Sequence, residues 1–101
     1  MKRYEFTELR VHATGIRVNC TDTETLDWIT GEIEKASSHC LVRDAGAPGW
    51  RSFEEIDYQK GPLSWQIFTE LCHNGWEPYA HYEGQYAGGY FLRFEMNEEE
   101  A

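Results

Sequence analysis

The sequence predicts an α+β fold, with a mostly antiparallel sheet of four to five strands and two helices packed on one face. Three observations predict it: segments of alternating side chains, two segments with apolar residues at helical spacing, and Gly/Pro breaks between them. Two amphipathic helices bury their apolar stripes most economically on the same face of a sheet. At 101 residues the chain suffices for one core, so we predict a single domain over residues 1–96 and a frayed acidic tail over residues 97–101.

The strands are predicted from the alternation of apolar and polar side chains. Over residues 3–11 aromatic and polar residues alternate, which is typical of a half-buried strand. The strongest strand covers residues 90–96, whose even-numbered side chains share the face that we assign to the core. Just before it, Gly88 and Gly89 indicate a bulge or a close backbone approach. Shorter strand candidates lie at residues 16–20, 40–43, 53–58 and 78–82.

Each helix has its own start and stop signals. The first begins at Thr21–Glu24, which has the capping-box spacing that satisfies two free backbone N–H groups. The second has Pro62 in its first turn and ends at Gly75, a residue suited to a left-handed C-terminal cap. Trp76 follows the cap and is placed to fold back onto the last turn, as in a Schellman motif.

Charge and hydropathy narrow the classes of function. The formal net charge is −9, from 18 acidic and 9 basic residues. This argues against direct nucleic acid binding, which needs clustered Lys and Arg, and it fits either a solvated surface or a protein partner with a basic surface. No apolar run is long enough to span a membrane, and residues 1–6 lack the apolar stretch of a signal peptide. We therefore expect a cytoplasmic protein with no membrane partner.

Three segments form a further pattern: Lys2–Phe6, Glu70–Glu77 with Gly-Trp-Glu at its end, and Tyr90–Phe94. In these segments the chain resembles a family of small bacterial and phage-borne domains of unknown function. Members begin with a Lys-Tyr-Glu-Tyr-like strand and carry a helix-Gly-Trp-Glu-strand unit. The chain departs from them at Pro78-Tyr79, where the family has an aliphatic pair, and in residues 12–61, which the family pattern lacks. The resemblance implies an α+β fold and no chemistry.

Two side-chain sets raise the question of a chemical site. His39-Cys40 and Cys72-His73 offer zinc ligands, but adjacent side chains diverge, so each pair would supply only one ligand comfortably. Adjacency also does not give Cys72 the oriented base that a nucleophile needs. The three cysteines are an odd number without C-x-x-C spacing, which indicates reduced thiols. We predict no catalytic, cofactor-binding or metal-binding residue, no cofactor and no enzymatic activity.

The aromatic residues indicate binding. The four tryptophans do not fit easily into so small a core, and Trp50 lies beside Arg51 at the end of a Gly/Pro loop. Because Trp, Tyr and Arg dominate interface hot spots, the leading hypothesis is a non-enzymatic protein-interaction module that binds a basic partner through aromatic residues within an acidic surface. The predicted partner-binding residues are Trp50, Arg51, Glu54, Glu55, Tyr79, Tyr82, Glu83 and Tyr86.

Two more specific hypotheses accompany this one. The first is an inhibitor from a phage or another mobile element, whose carboxylates take the place of nucleic acid phosphates. It is motivated by the glutamates at positions 32, 34, 54, 55, 77, 83 and 98–100. The second, the alternative function, is a small-ligand or nucleotide-binding module in which the tyrosine-rich hairpin at residues 79–90 stacks on a base. For that hairpin, cross-strand aromatic pairing is the favoured interpretation.

Overall fold

The computed structural model describes residues 2–37, 39–56, 60–85 and 87–96. The elements in these ranges are β1 (Arg3–His12), β2 (Gly15–Cys20), α1 (Thr23–Ala36), β3 (Leu41–Asp44), β4 (Trp50–Glu54), α2 (Lys60–His73), β5 (Glu77–Glu83) and β6 (Ala87–Met96). The strands form a six-stranded antiparallel sheet in the order β3-β4-β2-β1-β6-β5. The predicted α+β class is confirmed, with both helices on one face and six strands where four to five were predicted.

The two ten-residue strands, β1 and β6, pair along their full length and determine which side chains reach each face of the sheet. Because side chains alternate along a strand, Thr7 and Leu9 point to the same face as Leu92. All three are at most 1% exposed, so this face is the core face. Tyr90 and Phe94 pack against that core, as the sequence predicts.

Each helix covers the core face with one apolar stripe whose members recur every three or four residues. The buried residues of α1 are Leu26, Ile29 and Ile33, and the buried apolar residues of α2 are Leu63, Ile67 and Leu71. They join the buried strand residues in one cluster. Loss of a methylene-rich side chain from such a cluster costs about 2–5 kcal/mol, so this packing is the main support of the fold.

The start of α1 differs from the capping-box prediction. Asp22 is the N-cap, and its carboxylate accepts a hydrogen bond from the backbone N–H of Thr25 at 3.2 Å. The Thr21 hydroxyl is engaged by β1 instead, because its Oγ1 accepts from the Phe6 N–H at 2.8 Å and donates to the Glu5 carboxylate. The predicted cap at Thr21 is therefore wrong by one residue, since a sheet contact competes for its hydroxyl.

The end of α2 follows the prediction closely. Gly75 has φ of 97°, and its N–H donates to the Cys72 carbonyl at 3.2 Å. The Trp76 N–H donates to the Leu71 carbonyl at 3.0 Å, which completes a Schellman motif. Trp76 is buried, and its ring centroid lies 5.6 Å from that of Phe94 on β6. The cap thus joins the helix to the last strand.

Several predicted boundaries change in the structure. Trp50 follows the predicted Gly/Pro loop directly and is the first residue of β4. The irregularity in the C-terminal hairpin lies in β5 between Pro78 and Ala80, whereas Gly89 marks a close approach, since a Cβ there would lie 2.7 Å from the Leu9 carbonyl oxygen. Tyr58, at the end of a predicted strand, and the predicted tail at residues 97–101 lie outside the described residues.

We expect Gly75→Ala to lower the free energy of unfolding by about 1–2 kcal/mol, because an L side chain is strained at positive φ. Its Cβ would also lie 3.0 Å from Cε2 of Phe94. Gly31→Ala is the matched control, because Gly31 lies inside α1 and a Cβ there meets nothing within 4 Å. This control is expected to stabilise the protein by about 0.5–1 kcal/mol. Urea unfolding measures both values, and a shift of the same sign for both would contradict the cap geometry.

Candidate functional site

The sheet face opposite the helices is covered by no element of the described structure, and we call it the open face. It carries the side chains that alternate with the core residues along the strands. Its aromatic residues are Tyr4, Phe6, Trp50, Tyr79, Tyr82 and Phe91. Phe6 is 44% exposed and Tyr79 is 47% exposed, so the open face presents large apolar groups to solvent.

The aromatic rings of β1, β6 and β5 touch one another across the strands. The ring centroid of Tyr79 lies 6.3 Å from that of Phe6 and 6.3 Å from that of Phe91. Tyr82 continues the contact, with its centroid 5.7 Å from that of Phe91. A Cβ on Gly89 would lie 2.9 Å from the Tyr82 ring, so the glycine leaves the space that this ring needs. The result is a continuous aromatic cluster of tilted and edge-to-face pairs.

Two arginines extend this cluster. The guanidinium carbon of Arg93 lies 4.9 Å from the ring centroid of Tyr4 and 5.7 Å from that of Tyr79, and its Nη2 is 3.4 Å from the Glu77 carboxylate. Arg10 lies 5.5 Å from the Trp50 ring centroid and donates to the carboxylate of its neighbour Glu8. Arg93 therefore joins the rings of Tyr4 and Tyr79, whereas Arg10 and Trp50 form a second, separate pair on the same face.

The charge of the open face differs from that of the whole chain. Each of its four glutamates is paired: Glu8 with Arg10, Glu54 with Arg43, Glu77 with Arg93, and Glu95 with Lys2. Arg17 is the fifth basic residue of this face, and it has no ion pair among the described residues. The open face thus carries a formal charge of five basic minus four acidic residues, or +1, in a chain of net charge −9.

Three buried side-chain nitrogens in the described part of the chain have no hydrogen-bond partner: Nε2 of His12, Nε of Arg17 and Nε of Arg93. Buried polar groups usually have a hydrogen-bond partner, so these three are unusual. All three belong to residues of the open face. Burial lowers the pKa of His12 below its usual 6.5, and the nearby Arg17 and Arg10 lower it further. The imidazole is therefore neutral at neutral pH.

The predicted partner-binding residues divide among several surfaces. Trp50, Glu54, Tyr79 and Tyr82 lie on the open face, whereas Arg51 and Glu83 alternate to the opposite side of the sheet. Glu55 follows β4 with φ of 62°, and Tyr86 lies outside the described residues. Trp50 and Tyr79 are separated by four strand spacings, or about 19 Å. The sequence interpretation also missed Tyr4, Phe6, Arg10 and Arg17, because the pairing of β1 with β6 and β2 is what brings them to this face.

A separate cleft on the helix side of the sheet carries three carboxylates among mainly apolar side chains. The cleft has a volume of about 470 Å³, and no Lys or Arg lines it. Its walls include the side chains of Trp28 and Trp76 and the carboxylates of Glu5, Asp22 and Glu24. Of these carboxylates, Asp22 caps α1 and Glu5 accepts from Thr21. Aromatic rings and carboxylates therefore occur together both on the open face and in this cleft.

The cysteines show no sign of activation. Burial raises the pKa of Cys20, Cys40 and Cys72, whereas a thiol nucleophile needs a lowered pKa. Among the residues that the structure describes, no group of three or more His, Cys, Asp or Glu side chains is placed to share a metal ion. Neither described helix has the length and apolar content needed to cross a bilayer.

Comparison with known proteins finds a fold relative and no family. No protein-family model matches the chain, and no curated protein matches it. It is similar to a solved structure described as a conserved kinetoplastid-specific protein from Trypanosoma cruzi, at 16% identity and a TM-score of 0.55. The match covers 96% of this chain and 98% of that chain, and at this identity it shows a shared fold alone. The resemblance to bacterial and phage-borne domains stays a prediction.

We expect the free energy of unfolding to fall as the pH is lowered from about 7 to about 5.5, and His12→Gln to reduce that fall. The pKa of His12 is below 6.5 in the folded protein, so the unfolded chain binds more protons within this window. The stabilisation is complete above the unfolded pKa and is lost as the pH decreases towards the folded pKa. Urea unfolding of both proteins at both pH values measures the difference, and an identical pH dependence would contradict it.

Proposed function

We propose that this protein is a non-enzymatic protein-interaction module and that the open face is its binding surface. The observation that carries the proposal is the aromatic cluster with Arg93, together with the Arg10–Trp50 pair, on a sheet face that no described element covers. Tyr, Trp and Arg supply most interface hot spots, because they combine a large contact area with a polar group. Phe6 and Tyr79 are the most exposed aromatic residues of this face.

The dimensions of the open face support this proposal. Six strands with five spacings of about 4.8 Å give a width of about 24 Å across the sheet. A standard interface buries about 800 Å² per partner, which corresponds to a patch about 28 Å across. Along β1 and β6, ten residues at about 3.3 Å each give a length of about 33 Å, so the face measures about 24 by 33 Å at its widest, which is close to the area of one standard interface.

The high share of arginine among the basic residues of the open face also supports an interaction surface. Four of its five basic residues are arginines, namely Arg10, Arg17, Arg43 and Arg93. Interfaces are enriched in Arg and depleted in Lys, since a planar guanidinium both stacks on rings and pairs with carboxylates. Most of the excess negative charge of the chain lies elsewhere, so it does not repel an uncharged or mildly acidic partner at this surface.

The inhibitor hypothesis concerns other parts of the molecule. Glu32 and Glu34 lie on α1, whereas Glu54 and Glu77 are ion-paired on the open face. A carboxylate surface that imitates nucleic acid, with a basic partner and a phage or mobile-element origin, would have to use the helix side. It stays a prediction that capture of a basic, nucleic-acid-binding protein would support.

Small-ligand binding is the second candidate, and the aromatic cluster favours it. Tyr79, Tyr82 and Phe91 could stack on a nucleobase at the β5 edge of the open face, as aromatic platforms do in other proteins. Thermal-shift measurements against a panel of nucleotides, including cyclic ones, test this candidate. A shift that Tyr82→Ala removes would support nucleotide binding over the protein-interaction proposal.

We expect Phe6→Ala and Tyr79→Ala each to weaken the binding of a protein partner by about tenfold or more, because hot-spot truncations typically cost more than about 1.4 kcal/mol. Trp65→Ala is the matched control, since Trp65 is 58% exposed on α2 at the other side of the molecule. The measurement is affinity capture from the native host with all four baits, followed by mass spectrometry and titration of the recovered partner. Loss of the partner with Trp65→Ala but with neither open-face variant would contradict the proposal.

A further inference from the structure

We infer that the segment bound by the open face is an acidic one, in which a carboxylate pairs with Arg17 and apolar side chains flank it on the aromatic rings. This inference rests on the proposed function and adds the chemistry of the partner. It is argued from the ion pairs of the open face and from the Nε atoms of Arg17 and Arg93, which have no hydrogen-bond partner among the described residues. The proposal of an interaction surface does not depend on either observation.

Arg17 is the one charge of the open face without a counterion among the described residues. It lies on β2, directly between Arg10 on β1 and Ser52 on β4, and β1 and β2 are the two central strands of the sheet. Its nearest charged neighbour across the strands is thus another arginine. Every glutamate of the face already pairs with another basic residue. The middle of the open face therefore has a local excess of positive charge.

The hydrogen-bond inventory indicates the same kind of ligand. Nε of Arg17 is a buried donor without an acceptor, and so is Nε of Arg93. A buried donor left unpaired is costly, so a partner that brings acceptors to this face gains more than one that brings donors. A carboxylate is the protein side chain that accepts from a guanidinium through two oxygens at once. A small movement of the Arg17 side chain towards such a carboxylate would give its positive charge a counterion and its Nε–H an acceptor.

The side chains around Arg17 indicate which residues should flank the carboxylate in the partner's segment. On one side, Trp50 lies on the adjacent strand β4, two residues along from the row of Arg17, and the guanidinium of Arg10 lies over its ring. On the other side, Gly89 and the ring of Tyr82 continue the same row across the sheet. A segment with one carboxylate and apolar side chains on both sides would place its acid at Arg17 and its apolar groups on these rings.

Two other occupants fit less well. A second copy related by a two-fold axis at the middle of the sheet would place Arg17 and Arg10 against their own equivalents, which is a like-charge contact. Single-stranded nucleic acid would stack on the rings, but its repeated phosphates would meet a chain with net charge −9. A peptide segment with one or two carboxylates satisfies Arg17 without that repeated repulsion.

The test uses the full-length protein and a displayed library of random short peptides. Selection on the native protein is expected to enrich peptides that combine Asp or Glu with aromatic or aliphatic residues. Arg17→Met should weaken an enriched peptide by about tenfold, and Asp→Asn in that peptide should weaken binding to the native protein by a similar factor. The two changes together should cost little more than one of them, because both remove the same contact.

Matched variants separate this inference from the proposed function. Arg43→Met is the charge control, since Arg43 shares the row of Arg17 but is paired with Glu54 at 3.5 Å. It should change peptide affinity by less than about twofold. Arg17→Lys retains the charge without the planar guanidinium and should keep part of the affinity. Melting curves of all variants identify any that do not fold.

The outcomes overturn the two ideas separately. Enriched peptides that lose binding in Phe6→Ala but contain no excess of Asp or Glu, or that tolerate Arg17→Met, would overturn the acidic segment and leave the interaction face standing. Peptides that bind Phe6→Ala and Tyr79→Ala as well as the native protein would overturn the interaction face itself. Oligothymidylate binding tighter than peptide binding, or self-association that Phe6→Ala abolishes, would replace the acidic segment by nucleic acid or by a second copy.

Discussion

The full-length antiparallel pairing of β1 with β6 is the constraint on which the rest of the structure depends. It places Thr7 and Leu9 beside Leu92 and Tyr90 on the core face, where both helices cover them. The same register places Phe6 beside Arg93 on the open face. Because side chains alternate along a strand, a slip of one residue would exchange the two faces and expose the core. Core formation and presentation of the aromatic and arginine residues are therefore two consequences of one register.

The fold also separates two kinds of surface that the sequence interleaves. The helices cover the core face, and a cleft on their side holds three carboxylates among apolar side chains, whereas the open face pairs each of its glutamates with a basic residue. A chain with net charge −9 thus presents one surface whose own charge is nearly balanced. In the proposed function, the charge elsewhere would keep copies of the protein apart and leave the open face available to a partner.

The sequence predicts those features of the structure that depend on residues close together in the chain, and it misses those that depend on distant residues. Local patterns predicted the Schellman motif at Gly75, both helical stripes and the alternation that placed Arg93 away from the core, because each depends on neighbouring residues. The position of Asp22 as N-cap was missed, since Thr21 is taken by a strand fifteen residues earlier in the chain. The β1–β2 hairpin brings Arg17 beside Arg10 across a two-residue turn, whereas the separation of Trp50 from Tyr79 depends on pairings between distant strands that no local pattern encodes. The prediction that aromatic residues bind a partner within an acidic surface stays a prediction.

The most direct test of the central claim, that the open face is the binding surface, is hydroxyl-radical footprinting of the protein free and bound to its captured partner. Phe6, Tyr79 and Trp65 are all exposed in the free protein, so their side chains report on the two sides of one molecule. The account predicts that Phe6 and Tyr79 become protected in the complex while Trp65 is oxidised at an unchanged rate. Protection of Trp65 with unchanged oxidation of Phe6 and Tyr79 would contradict it.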